Sequence, residues 1–531
     1  MTASKVFGLS VFLFLALAST AFARHYRFSD APPVTNADDT RPSPVPASSG
    51  EFKFVEYAVT SSVRYPLVDF LDARRKQRSQ DVNALDQVPA SSWYTPRLGT
   101  RDVTPDELLK GPEVKGPPQA PYTIIKAKTK GNSPGFIIKD SRGIKYLIKF
   151  DQSEYPALES SVNFIVNRIF WGLGYFVPED FLIRFNPADA KTGEGLSQDD
   201  IDEVYAFSHA EEDGTYRAVA SGFLEGIVLG HIAQRGVRKG DLNDTIPNEN
   251  RRTLRALRMI SAWLGNSGFR SDNTLEVYSG TPGEGHTLHY ILDFGENFGV
   301  HGLEKGRAWD GFEHFFSWGD TARRFAGLGI PVKRWEDYKV DPGSATAHFE
   351  ADLFEPGKWK ETTQFLPIRS SQPDDDYWAA KLIAAVKTEH LEALFSAAKH
   401  PDENYTREVM ETLTERREKI LAYAFSRVSA LEAVGLNENS LTFRDLGAEH
   451  GSASSEYRVR FLNTNGKKIM PNADIASGSI LEVSTAEALK KAEGYLIVEI
   501  TALRGGKAAP RSAEFHIRSD SGTPRIVGIV H

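Results

Sequence analysis

From Tyr122 the apolar positions recur every second residue in three short runs, Tyr122–Lys128, Phe136–Lys139 and Ile144–Phe150, each rich in β-branched or aromatic side chains. Gly131 and Gly135, and the turn Ser141-Arg142-Gly143, separate them, so the pattern predicts two successive hairpins forming an antiparallel meander. The period then changes. Val162, Ile165, Val166, Ile169 and Leu173 have the 3, 4, 7 spacing of an amphipathic helix over Ala157–Leu173, which Gly174 ends. Strands are predicted at Phe181–Phe185 and Tyr216–Phe223, a helix over Arg251–Leu264, and a strand pair at Thr274–Tyr278 and Leu288–Leu292.

Residues 376–431 read as mostly helical, with Tyr405, Val409, Met410, Leu413 and Ile420 on one stripe. Beyond Leu441 the alternation returns to period two. Tyr457, Val459 and Phe461 alternate with charged neighbours, and further strands are expected at Ile480–Val483, Tyr495–Ile500, Phe515–Ile517 and Ile526–Val530. Many short strands between turns predict a small β domain with a sandwich-like arrangement over 435–531.

The amino-terminal pattern is different again. Residues 6–21 are largely apolar and end in Ala21-Phe22-Ala23, which reads as a secretory signal peptide over 1–23 with cleavage after Ala23. This run falls short of the roughly 20 apolar residues of a membrane span, so no membrane anchor is expected after cleavage and the destination is periplasmic or extracellular. Residues 24–50 read as a flexible linker, because 31–50 hold five prolines among Ser, Ala, Thr and Asp. Residues 51–118, with one helical stretch at Val68–Lys76, read as an extension packed on the main body.

Composition narrows the chemistry. The 531-residue chain contains no cysteine, which excludes disulfides, thiol catalysis and cysteine metal sites. A net charge of −8, without a clustered basic run, argues against nucleic-acid binding. Arg251, Arg252, Arg255 and Arg258 have helical spacing and read as a solvated or salt-bridged helix face.

The order of elements carries the functional signal. A strand, a glycine turn, a strand ending in Lys149-Phe150 and a helix bearing Glu159 are followed much later by Asp272-Asn273 and by a strand ending in Asp293-Phe294-Gly295. Phosphoryl transfer uses such parts: glycine-turn backbone over the phosphates, a strand lysine against phosphate charge, a helix carboxylate aiming the lysine, and an Asn with an Asp for Mg²⁺. Lys149, the Glu159 helix, the segment Leu173 to Glu179 and Asp293-Phe294-Gly295 together resemble the HipA-type branch of the protein-kinase-like superfamily. The stretches 81–93, 132–150, 241–263 and 290–299 resemble, more closely, an uncharacterised family of secreted bacterial proteins. The resemblance covers most of 80–430.

It implies an α+β, bilobal kinase-like body, with an antiparallel β N-lobe over 119–226 and a helical C-lobe over 227–434. It also implies that Lys149 contacts the phosphates of ATP or another nucleotide, that Asn273 and Asp293 bind Mg²⁺, and that Gly131 and Gly135 shape the phosphate loop.

Two positions depart from that pattern. In kinases the catalytic-loop base stands five residues before the metal-binding Asn, and that position here is Gly268. Asp272 is the one carboxylate upstream in the loop and is the candidate substitute, although it adjoins Asn273. Glu159 stands at the very start of its helix, where it either reaches Lys149 or simply favours the helix N-terminus by roughly a few tenths of a kcal/mol; the more central position on that face is Asn163.

Other motifs are decoys. Gly131-Asn132-Ser133-Pro134-Gly135 fits G-x-S-x-G, but a nucleophile elbow needs a helix after it, and Pro134 removes an N–H that an oxyanion hole would use. His286 and His289 have odd separation and read as single turn histidines on opposite faces, while Glu211-Glu212-Asp213 and Asp374-Asp375-Asp376 read as solvated turn or helix-start charge. Three functions are therefore expected to compete. They are an exported phosphotransferase acting on a protein or small-molecule acceptor, a pseudokinase scaffold, and a surface-binding protein working through the carboxy-terminal β domain.

Overall fold

The computed structural model describes residues 28–50, 52–71, 77–128, 134–301, 304–305, 307–315, 318–328, 333–338, 346, 348–451, 455–476, 481–519 and 523–531. The expected signal peptide and Gly131 lie outside the described residues. None of the described helices is long and apolar enough to cross a membrane.

The period-two region forms a mixed six-stranded sheet from β1 (Tyr122–Lys128), β2 (Gly135–Lys139) and β3 (Lys145–Phe150), continued after helix α1 (Leu158–Gly172) by β4 (Asp180–Phe185), β5 (Ala190–Thr192) and β6 (Tyr216–Gly222). Its order is β4-β6-β3-β2-β1-β5, antiparallel except where β5 joins β1. Alternation in β3 sends Tyr146, Ile148 and Phe150 into an apolar cluster with Phe136, Phe185, Ile201 and Val204. Ile201 and Val204 come from the helix Gln198–Phe207, which the sequence reading did not predict. Leu147 and Lys149 take the opposite face.

That opposite face looks toward the largest apolar cluster, which joins α1 to α2 (Leu257–Leu264), α3 (Pro373–Ala384), α4 (Thr388–Ala398) and α5 (Glu403–Ser426). Before α2 come β7 (Ile227–Gly230) and the short helix Arg252–Arg255; after it come β8 (Thr274–Ser279) and β9 (His286–Ile291). Strands β7, β8 and β9 form a separate antiparallel sheet. Val88, Trp93, Tyr94, Leu98, Val103 and Leu108 are members of the helical cluster, so the segment before the first sheet shares its core. That segment also holds helical stretches at Phe54–Leu71 and Pro105–Lys110.

Several expectations are corrected. Residues 28–50 are not a free linker but lie along the body, where Ala37 donates to Ala90, Ser43 to Gly285 and Ser49 to Leu229. Strand edges and loops thereby satisfy backbone groups that the prolines cannot pair among themselves. Of the two readings of the arginines of 251–258, the salt-bridged one holds and the solvated one does not: Arg251, Arg252 and Arg255 are buried and ion-paired with aspartates. Asp374, Asp375 and Asp376 do begin a helix, but they are buried too. Arg252 lies 2.8 Å from Asp86, 3.1 Å from Asp374 and 3.3 Å from Asp375, and Arg258 lies 2.8 Å from Asp376. The two charge runs bury each other because each supplies the other's counter-ions. His286 and His289 lie in β9, not in turns; His289 is stacked on Trp93 at 3.5 Å and faces Glu276.

At the carboxy terminus, the three strands Leu431–Leu436, Ser440–Asp445 and Leu481–Ser484 form one sheet, and Ser455–Leu462, Ala473–Ile475, Tyr495–Arg504, Ala513–Arg518 and Arg525–Val530 belong to another. Phe443, Leu481 and Val483 from the first share one apolar core with Val459, Val498 and Phe515 from the second. Position 434, where the sequence pattern placed the end of the helical region, falls inside the strand Leu431–Leu436, which pairs with Ser440–Asp445.

Candidate functional site

Hydrogen-bond register builds one side of the site. Lys128 in β1 is opposite Gly135 in β2, Gly135 is opposite Lys149 in β3, and Lys149 is opposite Val219 in β6. Directly opposed residues share a sheet face, so the two lysines stand on the same face with a glycine between them. A side chain at Gly135 would collide with the carbonyl oxygen of Ile148. Glycine is required there by close strand approach.

Helix α1 supplies the second side. Its start is tied to the end of β3 by Asp151, whose carboxylate accepts the Ser160 backbone N–H at 2.8 Å and the Ser160 hydroxyl at 2.6 Å. Burial pushes the Asp151 carboxyl up to about 6, against these hydrogen bonds and the nearby Arg217. The tie fixes the first turn of α1 against the strand, and Glu159 in that turn comes to 3.8 Å from the Lys149 Nζ. Of the two readings of Glu159, the geometry supports the reach to Lys149.

The β8–β9 hairpin supplies the third side. Thr274 is opposite Ile291. The next residues outward are therefore adjacent, and the Asn273 carbonyl accepts the Leu292 N–H at 2.8 Å. Asn273 and Asp293 thus emerge at the same end of one hairpin although they are 20 positions apart. Asp293 adopts φ +59°, a left-handed conformation unusual for a residue with a side chain; such positions cluster at functional sites. Its Oδ1 lies 2.8 Å from the Lys149 Nζ.

The lysine side chain is 10% exposed whereas the Asp293 side chain is 52% exposed, so the carboxylate opens outward from a buried cation. Lys149 holds the Asp293 carboxyl below the usual range, with Lys128 and Arg270 adding to the effect and burial opposing it. Burial pushes Lys149 down, but Asp293 and Glu159 outweigh it and keep the ammonium charged. Burial and the neighbouring Lys149 lower Lys128.

The two residues after Asp293 lock it in place. Phe294 is buried with its ring 5.3 Å from that of Phe170 in α1, and a Cβ at Gly295 would lie 3.3 Å from Cγ of Glu159. Asp272 and Asn273 form a single turn with Ser271, in which Asn273 Oδ1 accepts the Arg270 N–H at 2.8 Å. Arg270 grips both oxygens of Asp272, at 2.8 and 3.0 Å.

Of the residues expected at the site, the structure places Lys149, Glu159, Gly135, Asn273 and Asp293 in one locality, with Asp272 next to Asn273. The sequence reading missed Lys128, whose signal was the strand register, and Asp180. The Asp180 carboxyl accepts from Ser221 at 2.5 Å and Asn167 at 3.1 Å. Burial pushes it up to about 6, while Ser221, Arg168 and Lys149 pull it down. Asp180 is opposite Ser221, which is opposite Leu147, so it shares the face of Lys149. Arg270 was also missed.

No group of three or more His, Asp or Glu side chains is gathered as a metal cage among the described residues. The oxygens of Asp293 and Asn273 are hard donors of the kind Mg²⁺ and Mn²⁺ take, and Mg²⁺ is commonly held by one or two carboxylates together with substrate phosphates and water. The donor set fits a cation that arrives with a nucleotide.

No family model matches the sequence, and no curated protein matches it. Among solved structures, the crystal structure of the Golgi casein kinase with Mn/ADP bound is similar over 60% of this chain and 75% of that chain, at 12% sequence identity and a TM-score of 0.30.

Proposed function

We propose that this chain is an exported protein of bilobal, protein-kinase-like architecture that binds ATP or another nucleotide with Mg²⁺ and transfers its terminal phosphoryl group to a hydroxyl of a protein or small molecule. The observation that carries the reading is the meeting of Lys149, Glu159 and Asp293, drawn from a strand, a helix and a hairpin end, in the order phosphoryl transfer uses them. In this reading the first sheet and α1 form the N-lobe, and a signal peptide cleaved after Ala23 precedes the Pro-rich region.

Each residue has a role set by its charge and place. Lys149, kept charged by two carboxylates, neutralises phosphate oxygens, and Glu159 holds it in line. Lys128 adds a second cation on the same face. Asp293 and Asn273 hold the divalent cation, which supplies charge neutralisation between the phosphates. Gly131 and Gly135 are the glycines assigned to letting backbone N–H groups approach the phosphates.

Gly268 favours a second reading, a pseudokinase that binds nucleotide and works as a scaffold, because it puts no carboxylate of its own where a base is expected. Thermal-shift titration with ATP, GTP and ADP, with and without Mg²⁺ or Mn²⁺, tests the common part. A ligand bound only by the folded state raises the melting temperature as its concentration passes Kd. Metal-dependent stabilisation supports the reading, and no shift with any nucleotide overturns it.

A further inference from the structure

The loop between α2 and Asn273 lacks a carboxylate at Gly268, yet the space beside Gly268 is filled by one. A Cβ built on Gly268 would collide with Oε2 of Glu296 and would lie 3.3 Å from its Cδ. Glu296 directly follows Asp293-Phe294-Gly295. Its carboxylate also acts on the Arg270 guanidinium, helping to keep it charged.

Two links hold the loop and the segment carrying Glu296 together: Phe298 donates to the Leu264 carbonyl at 2.9 Å, and Leu292 donates to the Asn273 carbonyl at 2.8 Å. Glu296 is therefore clamped from both sides against the position five residues before Asn273. Gly268 is glycine because the Glu296 carboxylate occupies the volume its side chain would take.

We propose that Glu296 is the catalytic base of this protein, supplying from the hairpin end the carboxylate that the loop does not carry. The proposal rests on the kinase-like reading of the site. In the step, a Glu296 oxygen accepts the proton of the acceptor hydroxyl. The hydroxyl oxygen forms a bond to the γ-phosphorus of the nucleoside triphosphate, and the bond from that phosphorus to the β,γ-bridging oxygen breaks. The nucleoside diphosphate leaves with the electron pair, and Glu296 releases its proton to solvent. With water as acceptor the products are the diphosphate and inorganic phosphate.

The test uses the full chain with Mg²⁺-ATP, following loss of γ-phosphate to water and to the protein itself, beside calorimetric binding of a non-hydrolysable ATP analogue. Glu296→Gln is expected to retain analogue binding within about threefold while lowering transfer about 10²- to 10⁴-fold, the range of a positioned base. Glu296→Ser should lose transfer equally, and the double variant Gly268→Asp with Glu296→Ser should recover at least tenfold of it by moving the carboxylate back to the loop.

A readout independent of activity is the thermal-denaturation cycle. Gly268→Ala is expected to lower the melting temperature in the wild-type background and to lower it less when Glu296 is Ser. Analogue binding with transfer unchanged in Glu296→Gln, or additive melting shifts in the cycle, overturns the assignment of the base alone. So does intact analogue binding without any γ-phosphate loss in the wild type. Failure of the wild type to bind the analogue overturns the kinase-like reading and this proposal with it.

Discussion

The Nζ of Lys149 lies 2.8 Å from Oδ1 of Asp293, across 144 positions of sequence. The lysine is buried and the carboxylate half open, so the pair is a charged surface with one accessible side. Replacing Lys149 by Met keeps the length of the side chain and removes the charge, leaving Asp293 and Glu159 without their shared cation. Lys149→Met is expected to weaken Mg²⁺-nucleotide binding by at least tenfold, measured by calorimetry. Affinity within about twofold of the wild type would refute the phosphate role of Lys149.

Asp293→Asn keeps the shape and removes the charge proposed to hold the cation. The expectation is selective. Nucleotide binding in Mg²⁺ should weaken markedly, while binding measured in EDTA changes little, because only the metal-dependent part uses the carboxylate. Equal weakening under both conditions would point to a general loss of the site.

Arg252 is buried among Asp86, Asp374 and Asp375. Removing one member of such a network leaves the others buried without compensation, at a cost of about 3–5 kcal/mol. Arg252→Met should lower the urea midpoint accordingly. A loss below about 1 kcal/mol would mean that water or rearrangement satisfies the carboxylates.

The same network sets an acid response. Burial pushes the Asp86 carboxyl up, but Arg252, His531 and Arg78 outweigh it and hold the group well below the usual carboxylate range. A depressed folded-state pKa contributes stability that is present above the unfolded value of about 3.9 and is lost as pH falls toward the folded value. The wild type should therefore lose stability steeply below about pH 4, and Asp86→Asn, less stable at neutral pH, should show a shallower acid limb. Urea denaturation across pH 2.5–7 checks this, and parallel curves would disprove the contribution of Asp86. His531 lies 2.8 Å from Asp86, so the carboxy-terminal end of the chain is expected to loosen over the same range.

Gly135 is opposed to both Lys128 and Lys149 and faces the Ile148 carbonyl. Gly135→Val should destabilise the chain by about 1–3 kcal/mol through overpacking and weaken nucleotide binding by displacing the two lysines. Calorimetric melting together with nucleotide titration checks both effects; an unchanged melting temperature would show that the strands can part without cost.

The period-two alternation located the strands β1 to β3, because side-chain direction in a strand follows local geometry. The 3, 4, 7 spacing of Val162, Ile165, Val166 and Ile169 likewise located α1 to within a residue at each end. Asn273 and Asp293 were legible as a pair from their order beside two strands. What the sequence could not decide was which charges face one another. Arg252 and Asp374 each resemble surface charge when read alone, and only their mutual approach makes burial tolerable. Glu159 and Asn163 share a helical face, and the choice between them came from the Asp151 tie that sets the start of α1 against β3. Gly268 read as a missing base until the end of β9 brought Glu296 beside it. Local periodicity is written in neighbouring residues, whereas electrostatic partnership depends on the packing of segments tens to hundreds of positions apart, and that was decided by the tertiary structure alone.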